Sequence, residues 1–513
     1  MSYVHSRLGY GGGMPSETRA PRAAFLGVEQ SLTGRRWAAR LGDERAALAI
    51  AQRHGLPDAV SRLLAARDVD LEGVPDFLEP TLRKFLPDPS HLKDMDAAVA
   101  RLVRAVRGGE RIVVFGDYDV DGATSSALLL RFFRAVGGDI GVYIPDRRRE
   151  GYGPNAPALL KLQQEGAAVV VTVDCGVTAF EPLAEAGRAG LDLIVIDHHQ
   201  AEIALPEAIA VVDPNRIDDA SPHKQMAAVG VAFLLTVGVN RALREAGWYS
   251  AARPEPDLRQ WLDLVALGTV CDVVPLTGVN RALVRQGLLV MAQRRNAGLA
   301  ALADVARLNE TPGAYHLGFM LGPRVNAGGR VGQADLGAAV IAARQSGLLV
   351  NGGGHAMAAG LTVARSALPD LAKFLDERIA PQLGAAPAVR ELGIDAALAP
   401  GAATQELVGM IERAGPFGAG NALPRFALTS VRVNYVQPVG EGHVRCTLVG
   451  AERGRVDAIA FRASQTALGP ALLDPARPVL HVAGALRIDR YGGRETVRLQ
   501  IDDAATAAGS VLR

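Results

Sequence analysis

The chain is expected to fold as an α/β protein that ends in a small antiparallel β-domain, and three observations predict this. First, short β-rich runs alternate with Ala/Leu-rich helical stretches between residue 111 and about residue 275. Continuous apolar strands separated by helices imply a parallel sheet covered on both faces. Second, after about residue 388 several β-rich runs alternate apolar with polar residues, the period of a strand with one face in water. Third, 513 residues exceed what one hydrophobic core fills, so several domains are required.

Residues 1–30 are rich in Gly, Pro and Ser and are expected to be poorly ordered. From about 36 to 105 apolar residues recur at helical spacing, as at Val60, Leu63 and Leu64. The predicted parallel strands are Ile112–Phe115, Ile140–Ile144, Val169–Val173, Leu193–Ile196 and Ala210–Val212. An amphipathic stretch, roughly Asn280 to Leu308, suits a helical connector, and residues 318–385 are Gly- and Ala-rich with little periodicity. Val431–Val436, Val444–Val449, Val479–Leu486 and Thr496–Ile501 predict the final domain, its last two runs joined by a turn near Gly492-Gly493. A small barrel of the OB type is the leading candidate. The division expected is therefore 1–80 as an N-terminal extension, partly disordered then helical, and 81–279 as the parallel α/β domain. A helical connector follows at 280–320, then a short second α/β domain at 321–387 and the β-domain at 388–513.

Composition excludes more than it assigns. A net charge of +1 supplies no global field for nucleic acid, so any such binding must come from local patches. Cys175, Cys271 and Cys446 form no CxxC pair, which argues against a disulfide framework and fits a reducing compartment. No charged-then-apolar leader opens the sequence, and no apolar run approaches the roughly 18 residues of a membrane span. A soluble cytoplasmic protein is expected, with no membrane partner. No GxxxxGK[ST] loop and no GxSxG elbow appear, which counts against ATP-driven translocation and serine hydrolase chemistry.

Three predicted strands end alike. Ile112–Phe115 runs into Asp117, Asp119 and Asp121; Val169–Val173 into Asp174; Leu193–Ile196 into Asp197, His198 and His199. The carboxyl ends of parallel strands line one crevice, so these groups converge there. Asp272, after the apolar run Leu264–Val270, can reach the same edge. A lone Asp at a strand end is usually a cap or a turn residue; four such motifs in matching βα context are not explained that way. Crowded carboxylates repel without cations, and an oxygen-rich set with imidazole suits Mn²⁺ or Mg²⁺. Two such ions, about 3.5–4 Å apart, would clamp a phosphodiester for hydrolysis.

Asp119-x-Asp121, Asp174-Cys175-Gly176, Asp197-His198-His199 and Asp272 resemble the four motifs of the DHH phosphoesterase superfamily. Within it, several segments resemble the RecJ family of bacterial single-strand-specific exonucleases. They are Phe77–Pro80, Leu86–Pro89, Tyr143–Arg147, Glu150–Gly153, Pro323–Ala327, Gly353–His355, Ala358–Gly360 and Pro416–Asn421. The resemblance implies metal-dependent 5′→3′ removal of nucleotides from single-stranded DNA in repair and recombination. It implies Asp119, Asp121, Asp174, His198 and Asp272 as metal ligands, with Asp174 as the bridge and His199 near the scissile phosphate. Asp117 would be an outer-shell group. Arg147, Arg324, Asn326 and His355 would contact the strand, and the OB-like domain would grip it. A helicase or a single-strand-binding protein is a candidate partner, and a monomer is expected.

One stretch departs from the family. Only 22 residues separate Arg330 from Gly353, where RecJ proteins carry a much longer segment that includes a Gly-Ser-Gly-Arg-Ser run. The expectation is an in-frame deletion that truncates the second domain and impairs 5′-end selection more than metal binding. Two other functions stay open: a DHH phosphodiesterase acting on short oligonucleotides or cyclic dinucleotides, and a catalytically impaired nucleic-acid-binding remnant.

Overall fold

The computed structural model describes residues 23–146, 150–325, 343, 346–349, 351–355, 358–383, 390–491 and 494–507. These divide into two compact units. A β-unit combines the residues up to Asp70 with 390–409 and those from Pro424 onward; it begins with strand β1 (Arg36–Ala39). An α/β unit takes the residues from Leu71 to the end of the second domain together with Met410–Leu423.

The α/β unit is built on five parallel strands: β2 (Ile112–Gly116), β3 (Ile140–Tyr143), β4 (Val169–Val173), β5 (Asp192–Ile196) and β6 (Ala210–Val212). Their order in the sheet is β3-β2-β4-β5-β6. The chain steps outward one way from β2 to β3, then the other way through β4, β5 and β6. The crevice between the carboxyl ends of β2 and β4 is thus a topological switch point, where open α/β sheets bind ligands.

Every residue of β2 and β4 is buried, as the unbroken apolar runs predict. Their side chains split by period two between the faces. Ile112, Val114, Val169 and Val171 pack under helices Met95–Gly108, Val120–Ala135 and Ala228–Glu245. Val113, Phe115 and Val170 face helices Ala156–Gln164 and Phe180–Arg188. The connector is two helices rather than one, Gly278–Ala292 and Ala297–Val305. The break falls where Asn296 turns back to cap the second helix, accepting the Leu299 N–H at 3.4 Å. Beyond it lie a hairpin of β7 (Asn351–His355) and β8 (Ala358–Thr362) and a helix at Leu368–Leu383.

In the β-unit follow β9 (Glu391–Ile394), β10 (Ala396–Leu398), β11 (Phe426–Val439), β12 (His443–Val449), β13 (Arg455–Ala460), β14 (Leu480–Tyr491) and β15 (Arg494–Thr506). The sheet runs β10-β11-β12-β13-β15-β14, and β11 pairs also with β14, which curls it into a barrel. β11 serves both β12 and β14 by bending at irregularities between Leu428 and Val431 and between Val433 and Tyr435.

The N-terminal segment does not stand apart as the sequence suggested. β1 pairs in parallel with β9, and Trp37, fully buried, donates from Nε1 to Asp503 Oδ2 at 3.0 Å. Helical periodicity across 36–105 is interrupted here because β9 offers Arg36–Ala39 a strand partner that only the tertiary fold supplies.

Candidate metal centre

Each strand end delivers its acid by a distinct local device. After β2, Asp119 caps helix Val120–Ala135, its carboxylate accepting the N–H groups of Asp121 (2.9 Å) and Gly122 (3.1 Å). Gly122 has to be glycine, since a Cβ there would lie 2.5 Å from the Asp117 carbonyl oxygen. Asp121, in the first turn, is buried. Its two oxygens accept the N–H groups of Ala228 (2.7 Å) and Val229 (2.9 Å), at the positive end of helix Ala228–Glu245.

After β4, Asp174 takes a left-handed conformation (φ 59°), which aspartate tolerates better than most residues. Its N–H extends the sheet by one bond to the Ile196 carbonyl. Asp272 arrives from outside the sheet, at the C-cap of helix Leu262–Cys271.

After β5, Asp197 organises the two histidines. Its Oδ1 accepts the His198 N–H (2.8 Å), the His199 N–H (3.2 Å) and His199 Nδ1–H (2.7 Å), and its Oδ2 accepts the Val177 N–H (3.0 Å). Burial opposes the charge on Asp197, but His199 and these donors hold its carboxyl down at about 2. Burial likewise opposes a charged His199, yet the Asp197 carboxylate prevails and pushes that imidazole up to about 9. Asp197 was not among the residues expected to act in the site; its place at a strand end before two histidines was the available signal.

His198 is oriented differently. Its Nδ1–H donates to the Met226 carbonyl at 2.9 Å, and Asn215 Nδ2 donates to the His198 carbonyl at 2.6 Å. Burial lowers its pKa and favours the neutral ring. With the proton fixed on Nδ1, the Nε2 lone pair faces Asp174 Oδ1 at 3.2 Å, Asp272 Oδ2 at 3.5 Å and Asp121 Oδ2 at 3.6 Å. Burial, then the neighbouring carboxylates, push Asp121 and Asp174 well above the ordinary carboxyl range. When ionised, the three carboxylates turned toward the imidazole lone pair are all acceptors, an arrangement that a cation between them satisfies.

Among the described residues, three groups of side chains offer ligand atoms within 4.8 Å of one another: Asp174 with His198 and His199; Asp121 with His198 and Asp272; and Asp117 with Asp119 and Asp174. Asp174 belongs to two of them. All six catalytic candidates from the sequence thus meet in one cluster, joined by Asp117. Of the four strand-contacting candidates, Arg324 lies exposed on the turn Gly322–Val325 and donates to the Met320 carbonyl. His355 ends β7, where its backbone is paired with Ala358. Arg147 and Asn326 lie outside the described residues.

Residues 111–269, which hold the parallel sheet and most of this cluster, match the DHH family, N-terminal domain. Residues 394–503 match the RecJ OB domain. The single-stranded-DNA-specific exonuclease RecJ of Salmonella typhimurium is 41% identical over 292 residues, covering 56% of this chain and 50% of the relative. That of Escherichia coli is 39% identical over 290 residues, again 56% and 50%. Crystalline RecJ from Thermus thermophilus in complex with Mn²⁺ superposes with a TM-score of 0.69 at 25% identity, over 90% of this chain and 78% of that one. The chain thus carries one domain that matches the DHH family and one that matches the RecJ OB domain, and it is similar to RecJ exonucleases. It spans about half the length of the curated relatives it matches. Among the described residues no helix is long and apolar enough to cross a membrane.

Proposed function

We propose that this chain is a metal-dependent exonuclease that hydrolyses single-stranded DNA from its 5′ end, in the cytoplasm, during repair and recombination. The observation that supports this most is the His198 Nε2 lone pair facing three buried carboxylates from separate parts of the sequence. Asp119, Asp121, Asp174, His198 and Asp272 would hold two divalent ions, Mn²⁺ or Mg²⁺, with Asp174 shared. Such a pair, when bound, supplies an acidified water and charge for the phosphodiester oxygens.

The protein's own groups do the rest. Asp197 keeps His199 cationic beside the ligands, where it suits a hydrogen bond or a proton to the phosphate. Arg147, Arg324, Asn326 and His355 hold the strand near its reacting phosphate, and the barrel grips the strand by backbone charge and stacking. A barrel of that kind favours a long strand over a dinucleotide. On this reading the enzyme is a monomer that receives its strand from a helicase or a single-strand-binding protein.

A time course on 5′-labelled single-stranded and duplex DNA with Mn²⁺ tests the reading. Mononucleotides should be released from the single strand alone, and Asp174→Ala should abolish release. Degradation of a dinucleotide as fast as a long strand would overturn it. The short second domain adds its own expectation: strands with a 5′-phosphate and a 5′-hydroxyl should be degraded alike. A strong preference for the phosphate would count against a deletion that affects end selection.

A further inference from the structure

We propose that the Pro416–Asn421 loop is a positioning element for the metal centre, acting on Asp272 through the turn Val273–Thr277. The proposal rests on the reading of Asp272 as a metal ligand. Asp272 ends its helix, and the next residue, Val273, has φ +63°. A β-branched side chain avoids the left-handed region, and such strain persists only where the surroundings over-determine it.

The loop provides that restraint from far downstream in the sequence, yet within the same compact unit. The Leu276 N–H donates to the Ala419 carbonyl at 2.8 Å. On the other side Asn280 Nδ2 donates to the Pro275 carbonyl at 3.0 Å and to the Gln225 carbonyl at 2.6 Å. Both glycines of the loop lie close against this turn. A Cβ on Gly418 would lie 2.8 Å from Leu276 Cδ1, and one on Gly420 (φ +66°) would lie 2.8 Å from Pro275 Cβ. Asn421, buried, closes the loop by donating to the carbonyls of Ala414 (3.0 Å) and Pro416 (2.8 Å). The turn is therefore pinned from two sides directly behind a carboxylate whose Oδ2 stands 3.5 Å from His198 Nε2.

The test uses the full chain and isothermal titration with Mn²⁺ alone, run well below each variant's thermal midpoint. Gly418→Ala should weaken Mn²⁺ binding by about tenfold, the cost of disturbing a group that orients a ligand. Adding Leu276→Ala removes the clashing methyl, so the double variant should return to within about threefold of Leu276→Ala itself. In turnover, the strand's KM should stay unchanged, while kcat falls at limiting Mn²⁺ and recovers as Mn²⁺ is raised. Asn421→Asp sets a carboxylate against two carbonyl oxygens without adding bulk, and it should weaken Mn²⁺ binding too if Gly418→Ala does not fold. Wild-type Mn²⁺ affinity in both loop variants, beside a loss in Asp272→Asn, would overturn the proposal. Wild-type affinity in Asp272→Asn would instead remove Asp272 from the ligand set.

Discussion

Asp174→Asn should stabilise the metal-free protein and abolish its stabilisation by Mn²⁺. Asp174 is 2% exposed and shares its surroundings with Asp117, Asp119, Asp121 and Asp272. Two unit charges 4.8 Å apart, the outer limit within each ligand group, repel by about 3.5 kcal/mol at an effective dielectric of 20. Protonation of the crowded acids relieves part of this, so the net gain on neutralising Asp174 is about 1–3 kcal/mol. The new amide can also donate to the His198 Nε2 lone pair, 3.2 Å from Asp174 Oδ1 in the wild type. With Mn²⁺ at a hundred times its dissociation constant, each bound ion stabilises the wild type by about 2.7 kcal/mol. Two ions raise its midpoint by roughly 10 °C, at about 2 °C per kcal/mol for a unit of this size. Thermal melts in EDTA and in Mn²⁺ should therefore cross: the variant melts higher without metal and lower with it. A variant that melts lower in EDTA yet gains as much from Mn²⁺ as the wild type would refute the reasoning.

His199→Gln should leave Mn²⁺ affinity nearly intact while lowering kcat by about 10²–10⁴-fold, as expected for loss of a proton-donating group; equal losses in affinity and kcat would make His199 a ligand instead. Trp37→Phe should cost the β-unit about 1–3 kcal/mol, since it leaves the buried Asp503 carboxylate without its indole donor. Urea unfolding followed by far-UV dichroism measures this, and an unchanged midpoint would contradict the docking of the N-terminal segment. His481 is part-buried, which lowers its pKa, and its Nδ1 accepts the Ser430 N–H. The unfolded chain takes up a proton near pH 6.5 that the folded chain refuses, so this contribution is complete above pH 6.5 and falls as pH drops below it. The slope cannot exceed about 1.4 kcal/mol per pH unit for one proton. His481→Asn, which keeps an acceptor for Ser430, should flatten the acid side of the stability profile of the β-unit.

The parallel sheet was legible because both of its faces are covered, which forces continuous apolar strands. Val169–Val173 and Ala210–Val212 begin and end where the sequence puts them. That the six candidate residues would converge was legible for a related reason. Five come from the turn after a strand, where parallel topology gathers them at one edge whatever their separation in sequence, and Asp272 comes from a helix end facing that edge. Contacts made by the backbone were not legible. Nothing in the residue types says that Met226 would offer its carbonyl to His198, or Ala228 and Val229 their N–H groups to Asp121.

Partners that meet only in the folded chain were hidden too. Trp37 and Asp503 are 466 residues apart. β13 escaped notice because only Arg455–Ala460 form it, a strand much shorter than its neighbour β15. The connector looked continuous because its apolar spacing survives the break that the Asn296 cap introduces.

Anomalous diffraction from crystals of the full chain soaked in Mn²⁺ tests the central claim most directly. Two peaks sharing Asp174 are expected: one among His198, Asp121 and Asp272, the other beside Asp119. A single peak remote from Asp174, or none at saturating Mn²⁺, would contradict the claim.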